Sequence, residues 1–121
     1  MAKLNHVGFF VSDLDKSVKF YKDIFGFEEV DHFMSGEAKI TTLDIGEVLL
    51  ELICPPDAII TPPTGNWSHL AIYEPQFDKI VARVDEKNLE KRMMTMDIGG
   101  RLCFFNDPDG HTIEIMENGF L

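Results

Sequence analysis

The chain has 121 residues, and its 21 acidic and 11 basic residues give a net charge of −10. The length suits one compact domain, and a hydrophobic fraction of 45% is enough to form a core. The acidic balance argues against binding to nucleic acid or to an anionic membrane surface, because both need clustered lysine or arginine. The N-terminal sequence has no apolar run long enough for a signal peptide or a transmembrane helix.

The first half of the chain predicts one strand, one helix and three further strands. Residues about 3–11 are rich in β-branched and aromatic side chains, which is typical of a strand. The helix that follows should be capped by Ser12 or Asp13 and should end at Gly26. Three strands are then expected at about 27–34, 38–44 and 48–54.

The second half predicts the same order of elements. A strand is expected at about 67–73, and Pro75 is expected in the first turn of the second helix, where a missing N–H costs little. The turn before the last strand is predicted at Asp107–Gly110, where proline, aspartate and glycine follow one another. The three remaining strands are expected at about 90–96, 101–106 and 111–117.

The two halves are predicted to be copies of one unit. His6 and Glu51 are 45 residues apart, as are His69 and Glu114, and the two pairs are offset by 63 residues. The same offset relates two apolar triples at i, i+4 and i+7, which mark one face of a helix; the triples are Leu14, Val18 and Tyr21, and Phe77, Val81 and Val84. The chain therefore divides into module 1 (1–54), a proline-rich linker (55–66) and module 2 (67–121).

Four residues of this repeat are candidate metal ligands: His6, Glu51, His69 and Glu114. Each lies in a predicted strand whose opposite face is almost entirely aliphatic, because strand side chains alternate between two faces. An unpaired carboxylate inside such apolar runs would be costly to bury, and a bound metal removes that cost. Imidazole and carboxylate donors suit a borderline divalent transition metal. The alternative is that each histidine is a hydrogen-bonded core residue.

The other polar and reactive side chains carry weaker signals. His32 and His111 lack this strand context and are expected at the surface. Cys54 and Cys103 have neither the spacing of a zinc site nor that of a disulfide framework. They are expected to be buried free thiols, which suits a reducing cytoplasm.

Three motifs resemble those of the vicinal oxygen chelate superfamily, which includes glyoxalase I, methylmalonyl-CoA epimerase, fosfomycin-resistance and bleomycin-binding proteins, and extradiol dioxygenases. They are Asn5-His6-Val7-Gly8, Ser68-His69-Leu70-Ala71, and the run from Phe105 to Glu114. The resemblance implies an α+β, glyoxalase-like fold, in which two tandem βαβββ modules form a curled mixed sheet around a metal site. It also implies that the four candidate residues bind a divalent ion, which is Ni, Mn, Co, Zn or Fe.

The complete ligand set is most similar to that of glyoxalase I and next to that of the epimerase. We therefore expect a metal-dependent lyase or isomerase that abstracts a proton next to a carbonyl, as a lactoylglutathione lyase does, with Glu51 and Glu114 as catalytic carboxylates. Glu114 is favoured as the mobile base, because its strand follows the predicted turn. The natural thiol is left open, because Phe10 and Pro55 stand where the family's glyoxalases have arginine and asparagine for the thiol cofactor.

Two alternatives remain at this stage. One is a protein that sequesters or modifies an antibiotic or a metabolite, as bleomycin- and fosfomycin-resistance proteins do. The other is an isomerase similar to methylmalonyl-CoA epimerase. In each case the expected partner is a small molecule. We also expect a homodimer, because the family pairs its modules either within one chain or across a dimer, and the linker permits both.

Overall fold

The computed structural model describes residues 1–60 and 66–120. The chain forms two compact units, which we call unit 1 (Met1–Thr61) and unit 2 (Pro62–Leu121). Residues 61–65 of the predicted linker and the last residue of module 2 lie outside the described residues. No helix among those described is long and apolar enough to cross a membrane.

Unit 1 is a four-stranded mixed sheet with one helix. Its elements in chain order are β1 (His6–Phe10), α1 (Leu14–Phe25), β2 (Glu28–Ser35), β3 (Ala38–Asp44) and β4 (Leu49–Cys54). The strands lie in the order β1-β4-β3-β2. β1 is parallel to β4, whereas β3 is antiparallel to both β4 and β2. The predicted βαβββ order is therefore confirmed for this unit.

The boundaries of α1 are set by two residues that the sequence predicts. Asp13 has an extended backbone, and its side chain accepts a hydrogen bond of 3.0 Å from the Lys16 N–H. Gly26 has a φ of 73°, and its N–H donates to the Lys22 carbonyl at 2.9 Å. A side chain at a helix N-cap satisfies an otherwise unpaired N–H, and glycine enters the left-handed region without steric cost.

Unit 2 repeats this topology. Its elements are β5 (Leu70–Tyr73), α2 (Phe77–Glu86), β6 (Arg92–Thr95), β7 (Arg101–Asn106) and β8 (Thr112–Met116). The strand order β5-β8-β7-β6 is the same, with β5 parallel to β8. α2, β7 and β8 each begin 63 residues after α1, β3 and β4, which is the offset of the two His–Glu pairs. The α+β fold of two βαβββ modules is therefore confirmed.

Two local expectations near the start of unit 2 are wrong. Pro75 does not lie in the first turn of α2, because the N-cap is Gln76 and the helix begins at Phe77. The Gln76 N–H instead bonds to the Glu74 carboxylate at 3.1 Å, so a short turn precedes the helix. His69 was expected within a strand, but the pairing of β5 with β8 begins at Leu70, one residue later.

Each sheet has one buried aliphatic face and a second face on which buried and exposed side chains are mixed. Leu50 and Leu52 of β4 are fully buried, as are Ile113 and Ile115 of β8. α1 packs against β3 and β4. The side chains predicted to form the buried face of each helix are buried, with one exception. Val81 is half-buried, and its neighbour Ile80 is buried instead. The opposite sheet faces carry the histidines and glutamates, together with exposed aromatic side chains such as Phe10 and Tyr73. Both cysteines are free and buried, as expected.

Arg101 joins three parts of unit 2. Its guanidinium lies 2.9 Å from Asp78 in the first turn of α2, and 2.7 Å from Glu117, which follows β8. The same group lies over the ring of Phe77, 4.8 Å from its centre. Because this arginine donates hydrogen bonds to the Glu117 carboxylate, the pKa of Glu117 falls from its ordinary 4.5 to about 2.

Candidate metal centre

Unit 1 places His6 and Glu51 beside each other on its exposed sheet face. In the parallel pairing of β1 with β4, Gly8 lies opposite Glu51 and His6 opposite Leu49, so His6 and Glu51 are diagonal neighbours. The His6 Nε2 atom lies 3.8 Å from the Glu51 Oε2 atom. The other ring nitrogen, Nδ1, is 2.7 Å from the amide oxygen of Asn5. Because that oxygen only accepts hydrogen bonds, Nδ1 carries the proton and Nε2 faces the carboxylate.

Unit 2 holds its own pair in the same way. Ala71 lies opposite Glu114 in the parallel pairing of β5 with β8, as Gly8 does opposite Glu51. The His69 Nε2 atom is 3.1 Å from the Glu114 Oε2 atom, and the Glu114 side chain is only 8% exposed. Ser68 provides the partner of Nδ1, with its hydroxyl oxygen at 2.7 Å. The residue before each histidine therefore orients its ring.

The chemistry of these donors fits a divalent metal. A neutral imidazole with its proton on Nδ1 directs a lone pair from Nε2 toward a carboxylate, and two electron-rich groups repel each other at this distance. A cation between them removes the repulsion and binds both. Metal-binding histidines typically donate their second N–H to an oxygen acceptor, as His6 does to Asn5. Both pairs are thus candidate metal ligands.

The nitrogen–oxygen distances separate the two pairs. With bonds of about 2.1 Å, two adjacent ligands of one transition metal lie roughly 3.0–3.4 Å apart. The distance of 3.1 Å between His69 and Glu114 falls in this range, whereas the 3.8 Å between His6 and Glu51 is longer. The Glu51 side chain is also more exposed, at 21% against 8% for Glu114. The His69–Glu114 distance is therefore compatible with two ligands of one ion, whereas the His6–Glu51 distance is too long for this without some side-chain rotation.

A cavity of about 260 Å³ lies beside the pair in unit 1. The lining residues are Asn5, His6, Val30, Asp31, Phe33, Thr42, Leu49 and Glu51. Thr42 lies directly opposite Glu51 in the antiparallel pairing of β3 with β4. Its hydroxyl oxygen is buried without a hydrogen-bond partner. This cavity gives the Glu51 carboxylate room to move.

The corresponding position in unit 2 is filled by an aromatic ring. Phe104 lies opposite Glu114 and contacts the ring of His69 edge-on, with the ring centres 5.6 Å apart. Arg92, on the neighbouring strand, lies over the ring of Phe104, with its guanidinium carbon 4.8 Å from the ring centre. No sequence motif marks Thr42, Phe104 or Arg92 as part of the site. The register of the neighbouring strands places Thr42 and Phe104 opposite the glutamates and Arg92 opposite Phe104.

His32 and His111, the two histidines outside the His–Glu pairs, differ in their exposure to solvent. His32 is exposed, as expected, and its Nδ1 lies 3.2 Å from the Thr41 hydroxyl on the sheet face opposite Glu51. The expectation that His111 lies at the surface is wrong, because it is only 7% exposed. The predicted turn at Asp107–Gly110 is present, and the Asp107 carboxylate accepts the His111 N–H at 2.8 Å, which directs the chain inward before β8.

Volume alone would indicate a different site. A larger cavity of about 660 Å³ in unit 1 is lined by residues such as Asp13, His32, Cys54 and Pro55, and it includes neither His6 nor Glu51. Donor chemistry is the stronger guide, and it favours the His–Glu pairs. Within residues 1–60 and 66–120, no three His, Cys, Asp or Glu side chains are grouped so as to hold a metal ion. Each unit thus holds one His–Glu pair of candidate donors.

Comparison with known proteins identifies the family. The chain is 33% identical to a metallothiol transferase, FosB, from Shouchella clausii over 93% of its own length and 77% of that protein. It is 27% identical to a lactoylglutathione lyase from Arabidopsis thaliana, over 94% of this chain and 44% of that enzyme. A glyoxalase I mutant from Zea mays shares the fold with a TM-score of 0.84 at 21% identity, over 97% of this chain and 46% of the maize chain. Residues 3–115 match the sequence profile of the Glyoxalase/Bleomycin resistance protein/Dioxygenase superfamily, and the chain belongs to this superfamily.

Proposed function

We propose that this protein is a metal-dependent lyase or isomerase of the glyoxalase type. His6, Glu51, His69 and Glu114 would bind one divalent ion, which is Ni, Mn, Co, Zn or Fe. The observation that supports this proposal is the paired geometry, in which each histidine directs Nε2 toward a glutamate while Nδ1 is held by the preceding residue. The complete four-ligand set forms either within one chain or across a homodimer.

The reaction is proton abstraction next to a carbonyl. A divalent ion bound there would supply Lewis acidity for the negative charge that develops on the substrate oxygen. One glutamate removes a proton from the carbon next to the carbonyl, and a proton returns to that carbon or to its neighbour. The substrate is thereby rearranged without net oxidation or reduction. Carboxylates on both units provide the base and the second oxygen ligand that this scheme needs.

The chain's own residues favour a substrate other than the usual glutathione adduct. Phe10 is 59% exposed on the same sheet face as His6. An apolar ring offers no positive charge to bind a carboxylate of the thiol. The family's bacterial glyoxalases have an arginine at this position. Pro55 likewise has no side-chain hydrogen-bond donor. We therefore propose a thiol adduct or carbonyl compound with an apolar group near Phe10.

A second candidate is a transferase that modifies an antibiotic with a thiol. The similarity to the metallothiol transferase from Shouchella clausii favours it, because that protein shares 33% identity over most of both chains. Such a transfer needs a metal and a thiol nucleophile but no proton abstraction next to a carbonyl. The two candidates therefore differ in whether Glu51 and Glu114 act as bases.

Solvent deuterium exchange distinguishes the candidates. Metal-loaded protein is incubated in deuterated water with a panel of α-hydroxycarbonyl and acyl-CoA compounds, and with methylglyoxal plus glutathione or other thiols. We expect NMR to show exchange at the carbon next to the carbonyl, and Glu51→Gln and Glu114→Gln to reduce it strongly. His32→Ala is the matched control, because this exposed histidine lies on the other sheet face.

Each negative outcome has its own meaning. If the panel shows no exchange and mass spectrometry detects a thiol adduct of fosfomycin, the transferase replaces the isomerase. If no reaction occurs and one compound binds tightly, the protein sequesters its ligand. Equal exchange in wild type and in both glutamine variants would contradict the assignment of the two carboxylates.

A further inference from the structure

The side chain of Thr42 is polar and buried, and Thr42 is not one of the four proposed metal ligands. The residue is 6% exposed, and its hydroxyl oxygen has no hydrogen-bond partner. Leaving a buried hydroxyl unpaired costs about 1–3 kcal/mol, so an unpaired hydroxyl in a folded protein calls for a function or a partner. The neighbouring Thr41, on the opposite sheet face, has His32 as its partner.

The position of Thr42 identifies the partner. Thr42 and Glu51 are directly opposite each other on antiparallel strands, and the Cβ atoms of such residues lie about 4.5–5.5 Å apart on one sheet face. Both residues line the same 260 Å³ cavity. We infer that rotation about the side-chain bonds of Glu51 can bring its carboxylate to the Thr42 hydroxyl.

Among the described residues of unit 2 (66–120), the position equivalent to Thr42 is apolar. Phe104 occupies the place of Thr42 opposite Glu114, and an aromatic ring there cannot donate a hydrogen bond to the carboxylate. Glu114 is also more deeply buried and closer to its histidine than Glu51 is. In the described part of the chain, Glu51 thus has a hydroxyl directly opposite it on the neighbouring strand, whereas Glu114 has an aromatic ring.

We propose that Thr42 is a positioning residue for Glu51, and that its hydroxyl donates a hydrogen bond to the carboxylate when the carboxylate moves away from His6. Glu51 then alternates between His6 and Thr42, while Glu114 stays beside His69. This inference rests on the proposed function, because it makes Glu51 the mobile base of that reaction. It replaces the sequence-based preference for Glu114, since the burial of Glu114 opposes its movement.

Three single variants and one double variant test the proposal in the proton-exchange assay. Thr42→Val removes the hydroxyl with little change in shape, and we expect kcat to fall about tenfold with little change in KM, which is the effect of a lost hydrogen bond to a charged group. Thr42→Ser retains the hydroxyl and should restore exchange. Thr41→Val is the matched control in the same strand, and it should leave exchange unchanged. In the Glu51→Gln background, Thr42→Val should have no further effect.

A spectroscopic measurement tests the contact independently of activity. In metal-free protein with ¹³C-labelled glutamate carboxyls, the Glu51 signal is the one absent from Glu51→Gln. Because the His6 lone pair repels the carboxylate in this state, we expect Glu51 to bond to Thr42, so that Thr42→Val shifts the signal and Thr42→Ser does not. An unshifted signal in Thr42→Val would overturn the inference.

The outcomes separate this inference from the proposed function. If wild-type protein exchanges no proton with any compound, the proposed function is wrong. The ¹³C signal of the Glu51 carboxyl then tests the contact with Thr42 by itself. If wild type is active and Thr42→Val is equally active, or if Thr41→Val loses as much, the positioning role is wrong. A metal affinity more than about tenfold weaker in Thr42→Val would also overturn it, because Thr42 would then be part of the metal site itself.

Discussion

Replacing Glu114 by glutamine should raise the stability of the metal-free protein and remove its response to metal. The Glu114 carboxylate is only 8% exposed and lies 3.1 Å from His69 Nε2. We infer that Ser68 accepts the Nδ1 proton of His69, as Asn5 accepts that of His6, so that without metal the carboxylate faces a lone pair. A glutamine at this position keeps the shape and directs an N–H donor toward Nε2, so a repulsive contact becomes a hydrogen bond.

The expected magnitudes follow from this geometry. One such exchange is worth about 1 kcal/mol, which corresponds to a melting temperature about 4 °C higher for a chain of this length. Metal at a hundred times its dissociation constant stabilises the wild type by about 2.7 kcal/mol, or about 10 °C. The order of stability should therefore reverse: Glu114→Gln is the more stable protein without metal, and the less stable one with it.

Thermal unfolding followed by circular dichroism, with and without added Ni, Mn, Co, Zn or Fe, measures this reversal. Glu51→Gln should show a smaller gain without metal, because its carboxylate is more exposed and 3.8 Å from His6. His32→Ala should respond to metal as the wild type does. An equal metal-induced shift in wild type and Glu114→Gln would refute the assignment of Glu114 as a ligand.

Three further predictions concern assembly and stability. Sedimentation at micromolar concentration should show a homodimer, and a monomer alone would contradict it. Arg101 lowers the pKa of Glu117 to about 2, so the stabilising contribution of Glu117 is present above pH 4.5 and is lost as the pH falls toward 2. In Glu117→Gln the free energy of unfolding, followed by intrinsic fluorescence, should therefore depend less on pH between 4.5 and 2. Leu52→Ala should lower the free energy of unfolding in urea by about 2–5 kcal/mol, whereas Leu4→Ala, at a 67% exposed position, should change it by less than about 0.5 kcal/mol.

Local signals in the sequence were sufficient for much of the fold. Asp13 and Gly26 determine the ends of α1 through hydrogen bonds that span at most four residues, so the residue types alone predict them. The predicted starts of α2 at Pro75 and of β5 before His69 are wrong, because α2 begins at Phe77 and β5 at Leu70. Where β5 and α2 begin depends on pairing with β8 and on the Glu74–Gln76 turn, and neither can be derived from local composition.

The sequence predicted the pairs of the candidate site better than their surroundings. Period-two alternation and the repeated spacing place each histidine near a glutamate of its own unit, and the structure shows both pairs. That these residues bind a metal stays a prediction. Thr42 and Phe104 could not be predicted from the sequence. The register of β3 with β4, and of β7 with β8, determines which side chain lies opposite each glutamate. His111 was misplaced because its burial depends on the Asp107 side chain.

The differences between the two units bear on mechanism more than their likeness does. Both supply a histidine and a glutamate in the same register, but their cross-strand neighbours differ. Gly8 and Thr42 flank Glu51, and a Cβ added at Gly8 would lie 3.7 Å from the Glu51 carboxylate. In unit 2 the larger Ala71 and Phe104 flank Glu114. A base has to move between metal and substrate, whereas a structural ligand has to stay in place. Small and hydroxyl-bearing neighbours around one carboxylate, and larger apolar neighbours around the other, are what such a division of roles requires.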